Sequence, residues 1–274
     1  MSSFNKFQNE QTMTMENKKE HQYTEGDSWA PQKIATNNDI IHSMETKNSE
    51  KEVPIIFIEG GIGCGKSTLV KKIQEYCSKN NLNIKTIQEP VDIWMKIKDK
   101  KSGKNMIEAF YEDQHKYSFH FQMMAYISRL QKLQDTMKLV NKEKYDLIIC
   151  ERSLETDKNV FCKMLYDEGK IDNYGYQIYN QWFDYFQLFN ERSKYVYLQT
   201  DYNICFERVG KRKRNGESEI PISYLKENNA YHDNWLLQEK KDNVLILNGN
   251  EDCETNPELF NKHIKSIFDR FVYN

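Results

Sequence analysis

The sequence predicts an α/β fold: a five-stranded parallel sheet flanked by helices, with a phosphate loop at the end of its first strand. Two observations carry this. Short apolar runs alternate along the chain with longer stretches of helical period, the pattern that builds parallel sheets through right-handed crossovers. The first run is followed at once by Gly60-Gly61-Ile62-Gly63-Cys64-Gly65-Lys66-Ser67-Thr68. That segment matches G-x-x-x-x-G-K-[ST] and sits between a strand and a helix, as the phosphate loop of a P-loop NTPase must.

The elements follow in order. Residues 54–58 are apolar throughout and suit a strand buried on both faces. A helix is expected over about 66–78, a second strand over 83–88, and a long helical stretch over 105–141. A third strand covers 145–150. Residues 155–192 read as mostly helical, with Tyr176, Tyr179, Trp182, Phe183 and Phe186 at helix spacing, which points to core or a subunit interface. A fourth strand spans 194–199, with a helix from about Asp201. A fifth strand spans 243–247, and a closing helix 257–272. Residues 1–50 are rich in Asn, Gln, Ser, Thr, Lys and Glu without sustained periodicity, and read as a disordered tail before a domain over 51–274.

Composition narrows the function classes. The 274 residues are 38% hydrophobic, enough for one sizeable core, and 39 basic against 41 acidic residues leave a net charge of -2. Near-neutrality argues against a general nucleic-acid or anionic-membrane binder. No apolar run approaches the ~20 residues of a membrane span, and no apolar segment at the start suggests secretion. The tail has no Arg and several acids, unlike a mitochondrial presequence. A cytoplasmic location is expected, with mitochondria and nucleus left open. Cys64, Cys77, Cys150, Cys162, Cys205 and Cys253 are scattered and read as buried free thiols. Arginine is rare, appearing only at 129, 152, 192, 208, 212, 214 and 270, so each raises the question of why a planar fork is needed there.

The loop implies a nucleoside triphosphate. Its glycines let backbone N–H groups face phosphate at a helix N-terminus, Lys66 can reach the terminal phosphates, and Ser67 can ligate Mg²⁺. Glu89, in Gln88-Glu89-Pro90-Val91-Asp92-Ile93-Trp94, follows the second strand, where a parallel sheet opens to ligand. It reads as a proton acceptor for an attacking hydroxyl, or as a surface residue before a turn. Glu151 ends the third strand where many P-loop enzymes carry the acid serving Mg²⁺, and Arg152 beside it can neutralise phosphate or orient Glu89. Gln122, Ala125 and Arg129 share a helix face that either reads a base, with Asp157 holding Arg129, or simply meets water. Arg208, Arg212 and Arg214 read as a basic lid over phosphates, or as a solvated basic loop.

Taken together, I-E-G-x-I-G-x-G-K-S-T, E-P-V-x-x-W, F-Q-x-x-A-x-x-S-R, E-R-S-x-x-x-D and R-x-x-x-R-x-R-N-x-E resemble the deoxyribonucleoside kinase family over residues 53–272. The resemblance implies a sheet of the nucleoside- and nucleotide-kinase type, usually in a homodimer. It implies transfer of the γ-phosphoryl of ATP, with Mg²⁺, to a deoxynucleoside 5′-hydroxyl. On it, Glu89 takes the hydroxyl proton, with Arg152 alongside. Ser67 and Glu151 serve Mg²⁺. Gln122 bonds the base edge while Phe121 and Phe161 pack on its plane. Tyr111 and Glu217 take the 3′-hydroxyl, and Trp94, Ile62 and Phe110 wall the pocket. The three lid arginines join the loop residues on the triphosphate. The Arg129–Asp157 pair implies a preference for purine deoxynucleosides or deoxycytidine over thymidine. Glu155 and Asn159 depart from an aromatic common at those places, and Cys64 from a usually small residue. A nucleoside monophosphate kinase such as thymidylate kinase, or a non-catalytic kinase-like subunit, are the alternatives.

Overall fold

The computed structural model describes residues 53–143, 145–186, 193–212, 214, 216–217 and 220–272; the expected tail over 1–50 lies outside them. Five strands form one all-parallel sheet in the order β2-β3-β1-β4-β5. They are β1 (Ile55–Glu59), β2 (Ile84–Ile87), β3 (Leu147–Glu151), β4 (Lys194–Gln199) and β5 (Val244–Asn248). β1 is central, with Ile56 in register with Ile149 on one side and Lys194 on the other.

Alternation along the central strands divides the core. Ile56, Ile58, Ile149, Val196 and Leu198 face one side, packed with Leu69 and Ile73 of helix α1 (Lys66–Lys79). Ile55, Phe57, Ile148, Cys150, Tyr195 and Tyr197 face the other, against Trp235 and Leu236. Each such side chain contributes about 1.5–3 kcal/mol on burial, and covering both faces is what these apolar strands require. All six cysteines are buried and free.

Three helical stretches differ from the sequence reading. The expected helix over 105–141 is two: α3 (Met106–Glu112) and α4 (Gln114–Glu143), α2 being the short Val91–Lys96. Asn105 opens α3 with a capping box completed by Glu108. Asp113 leaves helical geometry at φ -144° and caps the next turn by accepting from the Lys116 amide. The stretch over 155–192 is also divided. Its first part, α5, runs from Leu154–Thr156 through a wider π-helical segment, Asp157–Cys162, to Lys163–Asp167. The chain then turns at Gly169, φ 70°, into α6 (Asn173–Tyr185). Residues 187–192 lie outside the described residues. Within the aromatic set Tyr179 and Phe183 are buried, whereas Trp182 lies exposed. After α7 (Tyr202–Arg212) comes α8 (Ile222–Asn234), an unanticipated helix that continues into a π-helical Trp235–Glu239. The closing helix is α9 (Pro257–Phe271), capped by Asn256. No helix among the described residues is long and apolar enough to cross a membrane.

Candidate active site

β1 and β3 are neighbours whose onward connections lead to opposite sides of the sheet, so a crevice opens at their carboxyl ends. A cavity of about 470 Å³ lies there. The loop lines one end of it from Ile62 to Gly65, with glycine required where the backbone is left-handed. Gly63 has φ 82°, and a Cβ there would lie 2.6 Å from the Cys205 carbonyl oxygen. Residues 62–68 face the cavity. Gly60 and Gly61, expected on the triphosphate, lie outside the cavity lining and accept from Lys66 Nζ through their carbonyls at 3.1 and 2.7 Å. Those oxygens turn back towards the ammonium rather than outward.

The acid–arginine cluster faces the loop. Ser67 Oγ donates to Glu151 Oε1 at 2.7 Å, and the Glu89 amide lies 3.4 Å from Glu151 Oε2. Hydroxyl and carboxylate oxygens suit a hard cation such as Mg²⁺, which needs only one or two protein carboxylates when phosphates complete its shell. No group of three or more His, Cys, Asp or Glu that could hold a metal occurs among the described residues. Glu89, beyond β2, meets two arginines: Arg129 Nη2 donates to its Oε1 at 3.0 Å, and Arg152 Nε lies 3.3 Å from the same oxygen. Burial pushes the Glu89 carboxyl up, but Arg152, Arg129 and Lys66 outweigh it and hold it well below the ordinary range. It is an ionised acceptor at neutral pH.

Arg129, on α4, is also clamped by Asp157 of α5, with Nε to Oδ2 at 2.8 Å and Nη2 to Oδ1 at 3.2 Å. The expected pair therefore forms, and it shares its cation with Glu89. Gln122, two turns earlier on α4, is 1% exposed and its Oε1 is without a hydrogen-bond partner, the state expected of an amide that awaits a ligand. Phe121 stacks on Phe110 with centroids 4.5 Å apart and meets Trp94 edge-on. Trp94 is fixed by its indole N–H to Ser128 Oγ at 2.8 Å. Ala125, Ile62, Tyr111, Phe161 and Glu217 line the same cavity. Burial pushes the Tyr111 phenol up, helped by nearby Glu217, so it stays a donor. Glu155 is absent from this lining: Tyr195 donates to it and Lys240 lies 3.4 Å away, so it leaves the pocket's polarity unchanged.

The three clustered arginines have different partners. Arg208, on α7, donates to the carbonyls of Cys64, Gly249 and Asn250 at 3.1, 2.8 and 3.2 Å. Its fork ties the phosphate loop to the segment after β5, because Nη1 and Nη2 donate to fixed carbonyls on both. Arg212 and Arg214 both pair with Glu217, Arg214 Nη1 lying 3.0 Å from Oε1. All three still line the cavity, while residues 213, 215, 218 and 219 lie outside the described residues.

The sequence reading missed several supports. Glu59, fully buried at the end of β1, accepts from the Ser153 amide at 2.8 Å and the Thr156 hydroxyl at 2.5 Å. It thereby fixes the turn in which Arg152 adopts φ 61°. His232 and Asn228, both 0% exposed on α8, reach Arg152 and the loop. Their signal was available: Tyr224, Leu225, Asn228 and His232 recur at helical spacing after a Pro221 that opens the helix.

A phosphate loop at a central strand, faced across a cavity by an ionised acid between two arginines, defines a P-loop phosphotransferase. The sequence profile described as deoxynucleoside kinase matches residues 56–273. The chain belongs to that family and is a deoxynucleoside kinase, which excludes the monophosphate-kinase reading. It is 31% identical over 220 residues to the probable deoxycytidine kinase of Fowlpox virus, covering 78% of this chain and 86% of that one. It is 28% identical over 251 residues to the deoxycytidine kinase of Homo sapiens, covering 82% and 95%. It is 27% identical over 234 residues to the mitochondrial deoxyguanosine kinase of Xenopus laevis, covering 77% and 87%.

Proposed function

We propose that this kinase transfers the γ-phosphoryl group of ATP to the 5′-hydroxyl of a deoxynucleoside, and that it prefers purine deoxynucleosides or deoxycytidine to thymidine. The observation that carries the preference is the Arg129–Asp157 pair, 4% and 2% exposed, on the wall that also holds Gln122. A buried charged pair rewards a base edge with complementary donors and acceptors. A methyl group set against it would leave charge unsolvated.

In this reading Glu89 accepts a hydrogen bond from the 5′-hydroxyl. Its low basicity makes it an orienting group that receives the proton late, which suits a loose phosphoryl-transfer transition state. Arg152 keeps Glu89 aimed and faces the transferring charge, and Lys66 leaves its loop carbonyls for the phosphates. Mg²⁺ held by Ser67 and Glu151 would neutralise charge between the donor's phosphates. Tyr111 and Glu217 receive the 3′-hydroxyl, and Phe121 and Phe161 flank the base. The resemblance also supports a homodimer. The exposed Tyr174, Ile178 and Trp182 of α6 are a suitable apolar face, and sedimentation at micromolar concentration tests it.

The experiment is a phosphorylation screen over the four natural deoxynucleosides with ATP and Mg²⁺, repeated on Arg129→Met/Asp157→Ala. Thymidine is expected to be the poorest substrate of the parent. The double variant should raise thymidine relative to deoxycytidine by about 10-fold or more in kcat/KM. An unchanged ranking overturns the specificity argument.

A further inference from the structure

We propose that His232 is a positioning residue: a neutral imidazole on α8 that holds the Arg152 guanidinium beside Glu89. The inference rests on the reading of Glu89 and Arg152 as the groups that face the acceptor hydroxyl.

Arg152 needs support. Its backbone stands at φ 61°, a conformation costly for a residue with a Cβ. Its Nε lies 3.3 Å from Glu89 Oε1 but makes no hydrogen bond, so the ion pair alone leaves the orientation loose. The guanidinium lies over the Phe161 ring at 4.8 Å, which sets its plane but not its rotation in that plane. Among the described residues, its directional hydrogen bond is the one to His232, with Nη1 3.2 Å from Nε2.

The tautomer follows from the other side of the ring. His232 Nδ1 lies 2.7 Å from the Asn228 carbonyl oxygen, which can only accept. Nδ1 therefore carries the hydrogen, and the Nε2 lone pair points at Arg152. Protonation would set one cation against another. The charged groups facing the imidazole are Arg152 and, from the phosphate loop, Lys66. The rings of Phe161 and Tyr197 enclose it, and the Tyr197 hydroxyl is bound to Asp233 at 2.8 Å. Burial first, then Arg152, pushes the imidazole well below its ordinary value. Asn228 completes the link by accepting from the Ile62 amide of the loop through Oδ1 at 3.3 Å. One turn of α8 thus touches both the triphosphate loop and the arginine opposite it.

Two substitutions separate the ring's two bonds. His232→Gln can place its Oε1 near the Nε2 position and keep the acceptor for Arg152. His232→Asn can keep the donor to Asn228 but loses that acceptor. With full-length protein, His232→Asn is expected to lower kcat on the order of 10–100-fold, the cost of losing a hydrogen bond to a charged group. The KM for ATP should hold within about 3-fold, and His232→Gln should recover most of the rate. Equal rates for the two variants, or a loss confined to thermal stability, overturn the inference. Should either variant fail to fold, ¹⁵N-histidine spectra of the parent decide. An Nδ1–H tautomer unchanged from pH 8 to 5 is expected, and an Nε2–H tautomer or titration near 6.5 refutes it. Arg152→Ala is measured alongside. If it is unimpaired, the reading of Arg152 itself is lost. If it is impaired while His232→Asn is not, only the present inference falls.

Discussion

Glu89 shows how two neighbours decide what one side chain can do. Desolvation alone would leave a carboxylic acid, but Arg129 and Arg152, 3.0 and 3.3 Å away, keep a carboxylate. Glu89→Gln should therefore lower kcat by about 10²–10⁴-fold, while ATP binding by calorimetry stays near the parent's. Gly63→Ala acts differently: it strains φ 82° and drives a methyl into the Cys205 carbonyl. A cost of about 1–3 kcal/mol, observed as a Tm lowered by several degrees and weaker ATP binding, is expected. Lys66 was legible from its motif, and Glu89, Arg152 and the Arg129–Asp157 pair from strand-end positions and helix spacing that also admitted a solvent-exposed reading. Glu59 and His232 were not, since a lone acid in an apolar strand and a lone histidine on a helix gain meaning only from what packs on them.

At the level of elements, strands were easier to see than helix boundaries. All five strands fall within two residues of expectation; the central three are buried on both faces and so must be apolar, whereas β2 and β5 are half-buried edges. The division at Asp113 was hidden, because a cap side chain can stop a helix without disturbing its apolar period, while at Gly169 the stop is a left-handed glycine that the reading passed over. The arginine cluster was visible as composition, yet its roles depend on partners. Arg208 finds three carbonyls on α7's flank, whereas Arg212 and Arg214 find Glu217. Arg208→Ala should unfasten the phosphate loop from residues 249–250. Faster amide exchange in both segments and a higher KM for ATP are expected; unchanged exchange would contradict the tether.

For the whole molecule, the buried neutral histidine couples the site to stability. His232 has a folded pKa depressed below 6.5, so below pH 6.5 the unfolded chain binds a proton that the folded chain refuses. Its contribution to stability is present above about 6.5 and is lost progressively as pH falls from there towards the depressed folded value. Denaturant titrations should show the parent losing stability over this window and His232→Gln losing less. Equal slopes would count against a neutral buried imidazole.

Arg129 has a consequence for how this enzyme can change. The same guanidinium grips both Asp157 and Glu89, which in the proposed reading face the base and the acceptor hydroxyl. Substrate range and turnover therefore share one cation. On that reading, any lineage or laboratory selection that widens the accepted bases by replacing Arg129 would loosen Glu89 in the same step. Generalist descendants should carry compensating substitutions around Arg152.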